Sequence, residues 1–450
     1  MKILLIKPKS FFSAKGAGPP LGLMYIASFL KQDGHQVVLR DFMVFKGDMK
    51  EELEKIIKEE NIKIVGVTCN SHERFESFDV IKLLKKIDSN IVTILGGPHP
   101  TICPRETIKN LPELDILVTN DGENAIRAII GCLNNKKDFE NIGGIVYRTE
   151  QGTIKENPVG RIVTNLDEYP FPDFNLINMN DYQLTVPIKG KPKSVPIISS
   201  RGCPFNCDFC AAKETNYGRI RFRSINNIIE ELKILLPKFP GYHIFIYDDH
   251  FLVNKDRILE FCQKVKKENL KFKWACYGRV DSIDEEVVVA IKEAGCVMIS
   301  FGIESGSKKM LKKMNKLTSP NQIIKAVRVV KKYGISARGS FIFNYPEENI
   351  FDIIKTFWLI FRLKLTPEEF AIGPYAVLYP GTQLFADYKD KSLPNDFNWN
   401  KKYENLPDYK EVPIYQPSFF SLRLWFIHFL RRIHKAFNIL KSKFNLMLRY

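Results

Sequence analysis

Residues 200 to 210 read Ser200-Arg201-Gly202-Cys203-Pro204-Phe205-Asn206-Cys207-Asp208-Phe209-Cys210, directly after the predicted strand Val195–Ser199. Three thiolates in one short loop can hold three corners of a cubane iron–sulfur cluster. Because four thiolates are the usual complement of such a cluster, three leave one iron open. A structural zinc site needs a fourth Cys or His nearby, but His243 and His250 follow more than thirty residues later. The loop therefore indicates a cluster rather than zinc.

Strand and helix patterns alternate downstream of this loop. The predicted strands are Val195–Ser199, Ile244–Tyr247, Phe272–Tyr277, Val297–Gly302, Ala337–Phe343 and Ala371–Leu378. Six strand-helix units predict a partial (β/α)6 TIM-like barrel over residues 195–390, with its site at the carboxyl ends of the strands.

The same alternation occurs upstream, in residues 1–140. The predicted strands are Lys2–Lys7, Gln36–Asp41, Ile64–Thr68, Ile91–Gly96 and Asp115–Thr119, and the helices between them are Leu21–Gln32, Lys50–Glu60, Phe75–Ile87 and Asn124–Leu133. This order predicts an α/β domain with a doubly wound, Rossmann-like parallel sheet of about five strands. Residues 141–194 suggest a hairpin and a Pro-rich linker, and residues 391–450 a C-terminal appendage.

The length of the chain predicts two or three domains, and its sequence predicts a cytoplasmic protein. The chain has 450 residues, of which 45% are hydrophobic and 26% charged, as in ordinary globular proteins. The apolar run at the N-terminus ends at Lys7, which is too short for a signal peptide. No run reaches the roughly 18 apolar residues of a membrane span. Nine cysteines, three of them in one loop, do not form a secreted disulfide framework.

The formal charge of +16 suggests an anionic partner. A nucleic acid is disfavoured, because no recognised nucleic-acid-binding motif accompanies the charge.

The Cys-x-x-x-Cys-x-x-Cys spacing of Cys203, Cys207 and Cys210, with aromatic Phe209 before the last Cys, resembles the radical S-adenosylmethionine superfamily. The resemblance implies that the open iron of a 4Fe-4S cluster binds S-adenosylmethionine. It further implies that the reduced cluster cleaves this cofactor to a 5′-deoxyadenosyl radical, which abstracts hydrogen from an unreactive carbon. An electron donor such as ferredoxin or flavodoxin would then be a partner. The protein would orient the cofactors and exclude water.

Residues at successive strand ends match weaker motifs of this superfamily. By resemblance, Asp249 contacts the amino group of S-adenosylmethionine, Glu304 its ribose or methionyl group, and Phe209 flanks the adenine; Arg279 ends the third strand. The fifth strand departs from the superfamily, with Phe343-Asn344-Tyr345-Pro346-Glu347-Glu348 in place of a Gly-rich turn. If Arg279 faces the lumen, period-two alternation directs Tyr277 and Ala275 there too, and Trp274 and Cys276 outward.

Four loops of the first domain follow strands or begin helices, so they meet at one sheet edge. They are Gly18–Leu23, Thr68–Ser71, Gly96–Thr101 and Asp121–Glu123. Small residues there permit close backbone approach to a flat or anionic ligand. Their combination resembles the cobalamin-binding domain of one class of radical S-adenosylmethionine enzymes, which includes anaerobic Mg-protoporphyrin ester cyclases and hopanoid-modifying enzymes. The candidate cobalamin residues are Pro20, Leu21, Thr68, Ser71, Gly96, Gly97 and Glu123. Without cobalamin the domain would be a docking module; a dinucleotide is disfavoured, because no Gly-x-Gly-x-x-Gly follows the first strand.

A histidine ligand to cobalamin is not expected. Other cobalamin proteins supply one from Asp-x-His-x-x-Gly, but here Asp33-Gly34-His35 is followed by Val38 in place of the glycine. The triplet also precedes the second strand, at the edge opposite the predicted site. His99 lies near that site in sequence, but the lower face of the cofactor is expected to lack a histidine.

The resemblance implies modification of an unactivated carbon of a small-molecule or lipid-like substrate, with C-methylation through methylcobalamin favoured. Oxidative cyclisation and ring rearrangement are alternatives in the same class. A non-catalytic cobalamin carrier or sensor is disfavoured by the intact Cys203, Cys207 and Cys210, and a methylthiotransferase by the lack of a second cysteine trio.

The last thirty residues predict an amphipathic helix, Ser421 to Tyr450, with seven Lys or Arg and no acidic residue. Its predicted apolar face contains Phe426, Phe429, Leu430, Ile433, Phe437, Leu440 and Phe444, roughly opposite Arg431, Arg432 and Lys435. Such a helix suits peripheral contact with an anionic membrane. The alternative is a helix packed on the barrel with a solvated basic face.

Overall fold

The computed structural model describes residues 1–10, 18–135, 137–404, 406, 408–409 and 412–447, and side chains of the last helix as far as residue 436. Its N-terminal sheet begins with five parallel strands: β1 (Lys2–Lys7), β2 (Gln36–Asp41), β3 (Ile64–Thr68), β4 (Val92–Gly96) and β5 (Ile116–Val118). Their spatial order is β2-β1-β3-β4-β5. The order reverses between β1 and β3, which is where doubly wound sheets bind ligands. The predicted Rossmann-like fold is confirmed.

Two further strands extend this sheet beyond the predicted five. β6 (Ile145–Arg148) and β7 (Ile154–Glu156) add an antiparallel hairpin, with Ile145 opposite Val118. The hairpin predicted as part of a linker is thus a component of the first sheet. The physical reason is the apolar Ile-Val-Tyr of β6, whose three side chains are buried. β6 contacts β5 and α5 and so covers the open edge of β5.

Helices cover both faces of the sheet. They are α1 (Leu21–Gln32), α2 (Met49–Glu59), α3 (Arg74–Ile87), α4 (Pro98–Ile102), α5 (Pro104–Lys109) and α6 (Gly122–Asn135). One apolar core lies beneath α1 and α6, and a separate one beneath α2 and α3. The first of these cores continues into the second domain, so the two domains pack together through apolar side chains.

The second domain is an open barrel of six parallel strands arranged in chain order. Its strands are β8 (Ser194–Ile197), β11 (His243–Ile246), β12 (Trp274–Gly278), β13 (Cys296–Glu304), β14 (Ser336–Ile342) and β15 (Phe370–Gly373). A short ribbon, β9 (Ser200–Arg201) and β10 (Arg221–Phe222), follows β8. The helices are α7 (Ala212–Thr215), α8 (Ile225–Lys238), α9 (Lys255–Lys267), α10 (Glu285–Glu293), α11 (Lys308–Lys313), α12 (Pro320–Lys332) and α13 (Ile350–Arg362). The predicted partial barrel is confirmed.

Alternation along β12 sorts its side chains as predicted. Trp274 and Cys276 belong to the core under the outer helices, whereas Ala275 and Tyr277 belong to a small cluster inside the barrel. Cys276 is therefore a packing residue, as are the buried free cysteines Cys262 and Cys296.

The C-terminal part returns to the first domain before ending in a long helix. It contains α14 (Gln383–Ser392), the ribbon β16 (Asp408–Tyr409) and β17 (Val412–Pro413), and α15 (Phe420–Met447). Between α14 and the ribbon, the Trp399 carbonyl accepts a 2.7 Å hydrogen bond from Arg74 of α3, and its N–H donates to Glu106 of α5. Within the described part of the chain, no helix is both long and apolar enough to cross a membrane.

α15 lies beside α13. Arg423 donates a 2.7 Å hydrogen bond to the Glu348 carbonyl just before α13, and the His434 ring lies 5.1 Å from that of Phe370 beyond it. The prediction that the apolar residues of α15 form one continuous face is wrong, because some of them pack on the barrel and others stay exposed. Ile427 and His434 are buried and Phe426 and Leu430 partly so, whereas Phe429 and Ile433 stay exposed. The predicted Phe437, Leu440 and Phe444 lie outside the described side chains.

Candidate active site

The cysteine loop sits at the carboxyl ends of the barrel strands. Gly202 has φ +93°, and a Cβ there would lie 2.1 Å from the Arg219 carbonyl, so only glycine permits this turn. The Asp208 N–H donates to the Met314 carbonyl at 3.2 Å, and the Asp208 carbonyl accepts from Leu384 at 2.8 Å. These bonds fix the loop between the ends of α11 and α14.

The three thiols suit a cluster better than a single metal ion. Cys203 and Cys207 are half-buried, Cys210 is exposed, and all three are free. Over the described residues, no three His, Cys, Asp or Glu side chains converge closely enough to hold one ion. A cubane instead offers each thiolate its own iron. Partial burial raises the pKa of the Cys203 and Cys207 thiols, so iron must displace their protons to bind.

Arg279 lies against the cysteine loop. Its guanidinium is 3.6 Å from the centroid of the Phe205 ring and donates to Cys207 Sγ at 3.8 Å. Asp281, at 2.7 Å, and the Lys316 carbonyl orient it. A cation held in this way stabilises negative charge on Cys207.

Glu304 ends β13 in a strained conformation. A register shift between Gly302 and Glu304 accompanies a φ of +64° at Glu304, and such bulges redirect side chains. The carboxylate meets Lys316 Nζ at 3.0 Å in a buried ion pair. A Cβ on Gly302 would lie 2.4 Å from Glu304 Oε1, so the glycine leaves room for this pair.

Lys316 was not singled out from the sequence. It follows α11. Burial opposes the charged form of Lys316, but the negative charges of Glu304 and Cys207 favour it, and together with the other contacts they raise its pKa. The only signal for it was its position in the loop after α11, and sequence spacing does not show that this loop folds back over the barrel.

Two neighbouring aspartates end β11. Asp248 is buried and accepts bonds from the Ser199 N–H at 2.6 Å and from the Ser200 hydroxyl at 2.6 Å, which ties β11 to the start of the cysteine loop. Asp249, the predicted cofactor contact, lies on the wall of a cavity, and burial raises the pKa of its carboxyl. Phe209 packs against an apolar cluster that includes Met310 and Tyr345, and its ring is 5.8 Å from Lys316 Nζ.

A cavity of about 340 Å³ joins the two domains. It begins between the first sheet and α1, at Leu5, Gly22 and Ile94, and extends to the barrel at Gly202, Tyr247 and Asp249. Of the candidate cobalamin residues, Thr68, Gly96, Gly97 and Glu123 line it. Pro20, Leu21 and Ser71 are not among its lining residues; Ser71 instead lies 3.2 Å from His99 Nδ1.

Glycines keep this cavity open. A Cβ on Gly22 would meet nothing within 4 Å, and one on Gly97, which has φ +111°, would lie 2.8 Å from the Cys69 carbonyl. The cavity is lined by apolar side chains such as Leu5 and Ile94 and by the polar Thr68, Asn120 and Asp121. A largely apolar cavity with a few polar groups fits part of a large, flat cofactor such as cobalamin.

No histidine is among the residues that line this cavity. His35 lies beside the N-terminal amino group, at the opposite sheet edge. His99 is fully buried with its ring against Phe78 and Trp399, and burial lowers its pKa to about 3. That the cofactor lacks a histidine ligand stays a prediction.

An ion-pair network that sequence reasoning missed bridges the domains. Arg201, next to the cysteine loop, donates to Asp121 at 2.8 Å and to Glu123 at 2.5 Å. Asp121 also pairs with Arg221. Glu123 thus both lines the cavity and holds the residue that precedes Gly202.

Comparisons with known proteins agree with both halves of the site. Residues 197–360 match the radical SAM superfamily and residues 11–130 the B12 binding domain. An uncharacterized methyltransferase of Pyrococcus horikoshii is 34% identical over 405 residues, covering 89% of this chain and 86% of that protein. The anaerobic magnesium-protoporphyrin IX monomethyl ester cyclase of Rubrivivax gelatinosus is 26% identical, covering 88% and 72%. The radical S-adenosylmethionine methyltransferase TsrM of Kitasatospora setae has the same fold, with a TM-score of 0.71 and 16% identity, covering 87% and 76%.

Proposed function

Because the chain belongs to the cobalamin-dependent radical S-adenosylmethionine enzymes, we propose that it methylates an unactivated carbon of a small molecule. One observation carries the proposal: a single cavity runs from the cobalamin-domain residues Thr68 and Gly97 to Asp249 of the barrel. In this class the 4Fe-4S cluster supplies the electron that cleaves S-adenosylmethionine, and cobalamin supplies the methyl group. A shared cavity brings the two chemistries to one substrate.

The chain's own residues would position S-adenosylmethionine. Arg279 and Lys316 place two cations beside Cys207, where they suit a carboxylate. Asp249 and Glu304 offer carboxylates to amino or hydroxyl groups, and Phe209 offers a ring to the adenine. Thr68, Gly96, Gly97 and Glu123 would hold cobalamin, with Pro20, Leu21 and Ser71 outside the cavity wall.

Oxidative cyclisation is the second candidate function. The similarity to the Rubrivivax cyclase favours it, whereas the similarity to the Pyrococcus methyltransferase favours methylation. Ring rearrangement is a further outcome of the same chemistry. Only the products of the reaction distinguish these outcomes.

The test is anaerobic purification with reconstituted iron and sulfide, followed by product analysis with and without cobalamin. We expect 5′-deoxyadenosine under reducing conditions and S-adenosylhomocysteine only when cobalamin is present. Formation of 5′-deoxyadenosine with no cobalamin-dependent S-adenosylhomocysteine would favour cyclisation instead. Absence of both products would contradict the proposal.

We propose a cytoplasmic protein electron donor such as ferredoxin or flavodoxin. The nine cysteines of the chain include a single closely spaced trio, so the electron for its cluster must come from outside. All nine are free thiols, which suits a reducing compartment.

We also propose that α13 and α15 contact an anionic membrane. Their outer faces expose Phe351 and Trp358 on α13 and Leu422, Trp425 and Phe429 on α15, all more than 40% exposed. Arg431, Arg432 and Lys435 lie on the exposed surface of α15, and the 28-residue helix contains no acidic residue. Aromatic side chains beside basic ones suit the interface of anionic lipids.

A further inference from the structure

The barrel lumen contains a second layer of side chains beneath the cysteine loop. Tyr277 lies in β12 and Tyr247 directly follows β11. Both tyrosines pack on the small cluster inside the barrel, and Tyr247 lines the same cavity as Asp249. The two tyrosine rings are 5.7 Å apart, centroid to centroid. Both rings keep some solvent exposure. The layer therefore borders space that a small molecule can enter.

The lumen is closed below this layer. Phe245 stacks on Tyr277 with a centroid distance of 5.2 Å, and it forms an apolar cluster with Ala275, Met298 and Val186. Val186 belongs to the segment that pairs back on itself through Thr185 and Lys193 before β8. The lumen is thus a cup, with an apolar floor and the cysteine loop at its mouth.

Arg338 reaches into this cup from β14. Its neighbours Ala337 and Phe341 belong to the outer core, so alternation directs Arg338 inward. In register it pairs with Ser300, which pairs with Tyr277. Burial raises the pKa of Tyr277, and the nearby charge of Arg338 opposes that rise.

Arg338 differs from the other cations around the site. Arg279, Lys316 and Arg201 each have a carboxylate partner. No ion pair to Arg338 is found among the described side chains, and its buried Nε has no hydrogen-bond partner there. A buried donor without a hydrogen-bond partner costs free energy, and an anionic group bound in the lumen would supply the missing acceptor.

We propose that Arg338 binds an anionic group of the substrate, a carboxylate or a phosphate, and holds the substrate body against Tyr247 and Tyr277. A guanidinium fork matches both groups bidentately. The inference rests on the proposed function, since it takes the cup as the substrate site. It adds the substrate class: a small acid rather than a neutral molecule.

Calorimetric titration of the anaerobic holoenzyme tests this with matched probes. The probes are 4-hydroxybenzoate, phenyl phosphate and, as the neutral control, 4-hydroxybenzamide. We expect at least one anion to bind roughly tenfold or more tightly than the amide, and the choice between the two anions identifies carboxylate or phosphate. Arg338→Gln should abolish that preference and Arg338→Lys should reduce it. Arg328→Gln, on the exposed face of α12, should keep it.

Equal binding of anions and amide, no binding of any probe, or an anion preference that survives in Arg338→Gln would each overturn the inference. Cluster absorbance and cobalamin content show whether each variant is folded and loaded. The titration measures binding alone. If the proposed methylation fails, S-adenosylhomocysteine is absent while the anion preference persists; if this inference fails, the preference is absent from a protein that still makes that product.

Discussion

Each cysteine of the loop has a different environment, yet all three are needed. Cys207 has Arg279 and Lys316 nearby, whereas Cys210 is exposed. Three protein ligands leave no spare corner on a four-iron cluster. Replacing Cys203, Cys207 and Cys210 together with Ala should abolish the 4Fe-4S absorbance and 5′-deoxyadenosine formation. Cys276→Ala, a buried packing cysteine, is the matched control and should keep both; reductive cleavage by the triple variant would refute the assignment.

Glu348 gives a pH-dependent stability at the turn after β14. Burial raises the pKa of its carboxyl to about 8, although the Asn344 N–H donates to it at 2.7 Å. Because this pKa is raised in the folded protein, the contribution of Glu348 to stability is fully present below about pH 4.5 and is lost as the pH rises through about 8. Glu348→Gln should therefore raise the free energy of unfolding at pH 9 by a few kcal/mol, and with it the thermal midpoint. At pH 5 both should change little.

The control for this prediction is Glu347→Gln, because Glu347 is exposed and its pKa is lowered by Lys313. Unfolding followed by circular dichroism between pH 5 and 9 measures both variants. A parallel pH dependence in Glu348→Gln and the unmodified protein would show that Glu348 is not the titrating group.

The position of an individual residue could be predicted where the alternation within one strand or the spacing within one loop determines it. The cysteine trio and the inward face of β12 are such cases. Lys316 and the Arg201–Asp121 pair were not, because residues far apart in sequence meet only after the loops fold over the strand ends. The inward position of Arg338 could have been predicted, because Ser336, Arg338 and Ser340 alternate with less polar residues along β14.

At the scale of elements, strong periodicity predicted most helices and strands to within a few residues. The hairpin β6 and β7 was found but separated from its sheet, because antiparallel pairing with β5 has no local signature. The 3.6-residue period of apolar residues predicted the helix α15, but it did not predict which of these residues would pack on the barrel.

The exposed stripe of α15 should bind lipid. A protein ending at Pro417 should lose flotation with anionic vesicles at low salt, while the full chain floats and neutral vesicles capture neither. Since truncation also uncovers the core contacts of Ile427, a second variant, Trp425→Glu with Phe429→Glu, changes exposed side chains alone and should have the same effect. Lys82→Glu, exposed on α3, is the control. Equal flotation of all versions, or of none, would contradict the membrane proposal.

Over the whole molecule, buried ion pairs and a shared apolar core join the domains. Asp121 holds both Arg201 and Arg221 at the interface. Asp121→Asn removes the carboxylate partner of the buried Arg221, while Arg201 keeps Glu123. The change should cost about 3–5 kcal/mol and separate the calorimetric unfolding of the domains. Asp33→Asn removes the more exposed Asp33–Arg127 pair within the first domain, and it should cost about 1 kcal/mol or less. If Asp121→Asn unfolds in a single calorimetric transition at the same temperature as the unmodified protein, the network does not couple the domains.

The return of Trp399 to α3 and α5 has a consequence for biosynthesis. The first sheet emerges from the ribosome early, but the hydrogen bonds of Trp399 to Arg74 and Glu106 form only after residue 399 is made. At about 5–20 residues per second, translation from the end of α6 to that point takes roughly 10–50 s. During this interval the first sheet can fold before the barrel has closed over its edge. A nascent chain arrested after α6 would thus offer its half of the cavity to a bulky cofactor without a barrel in the way.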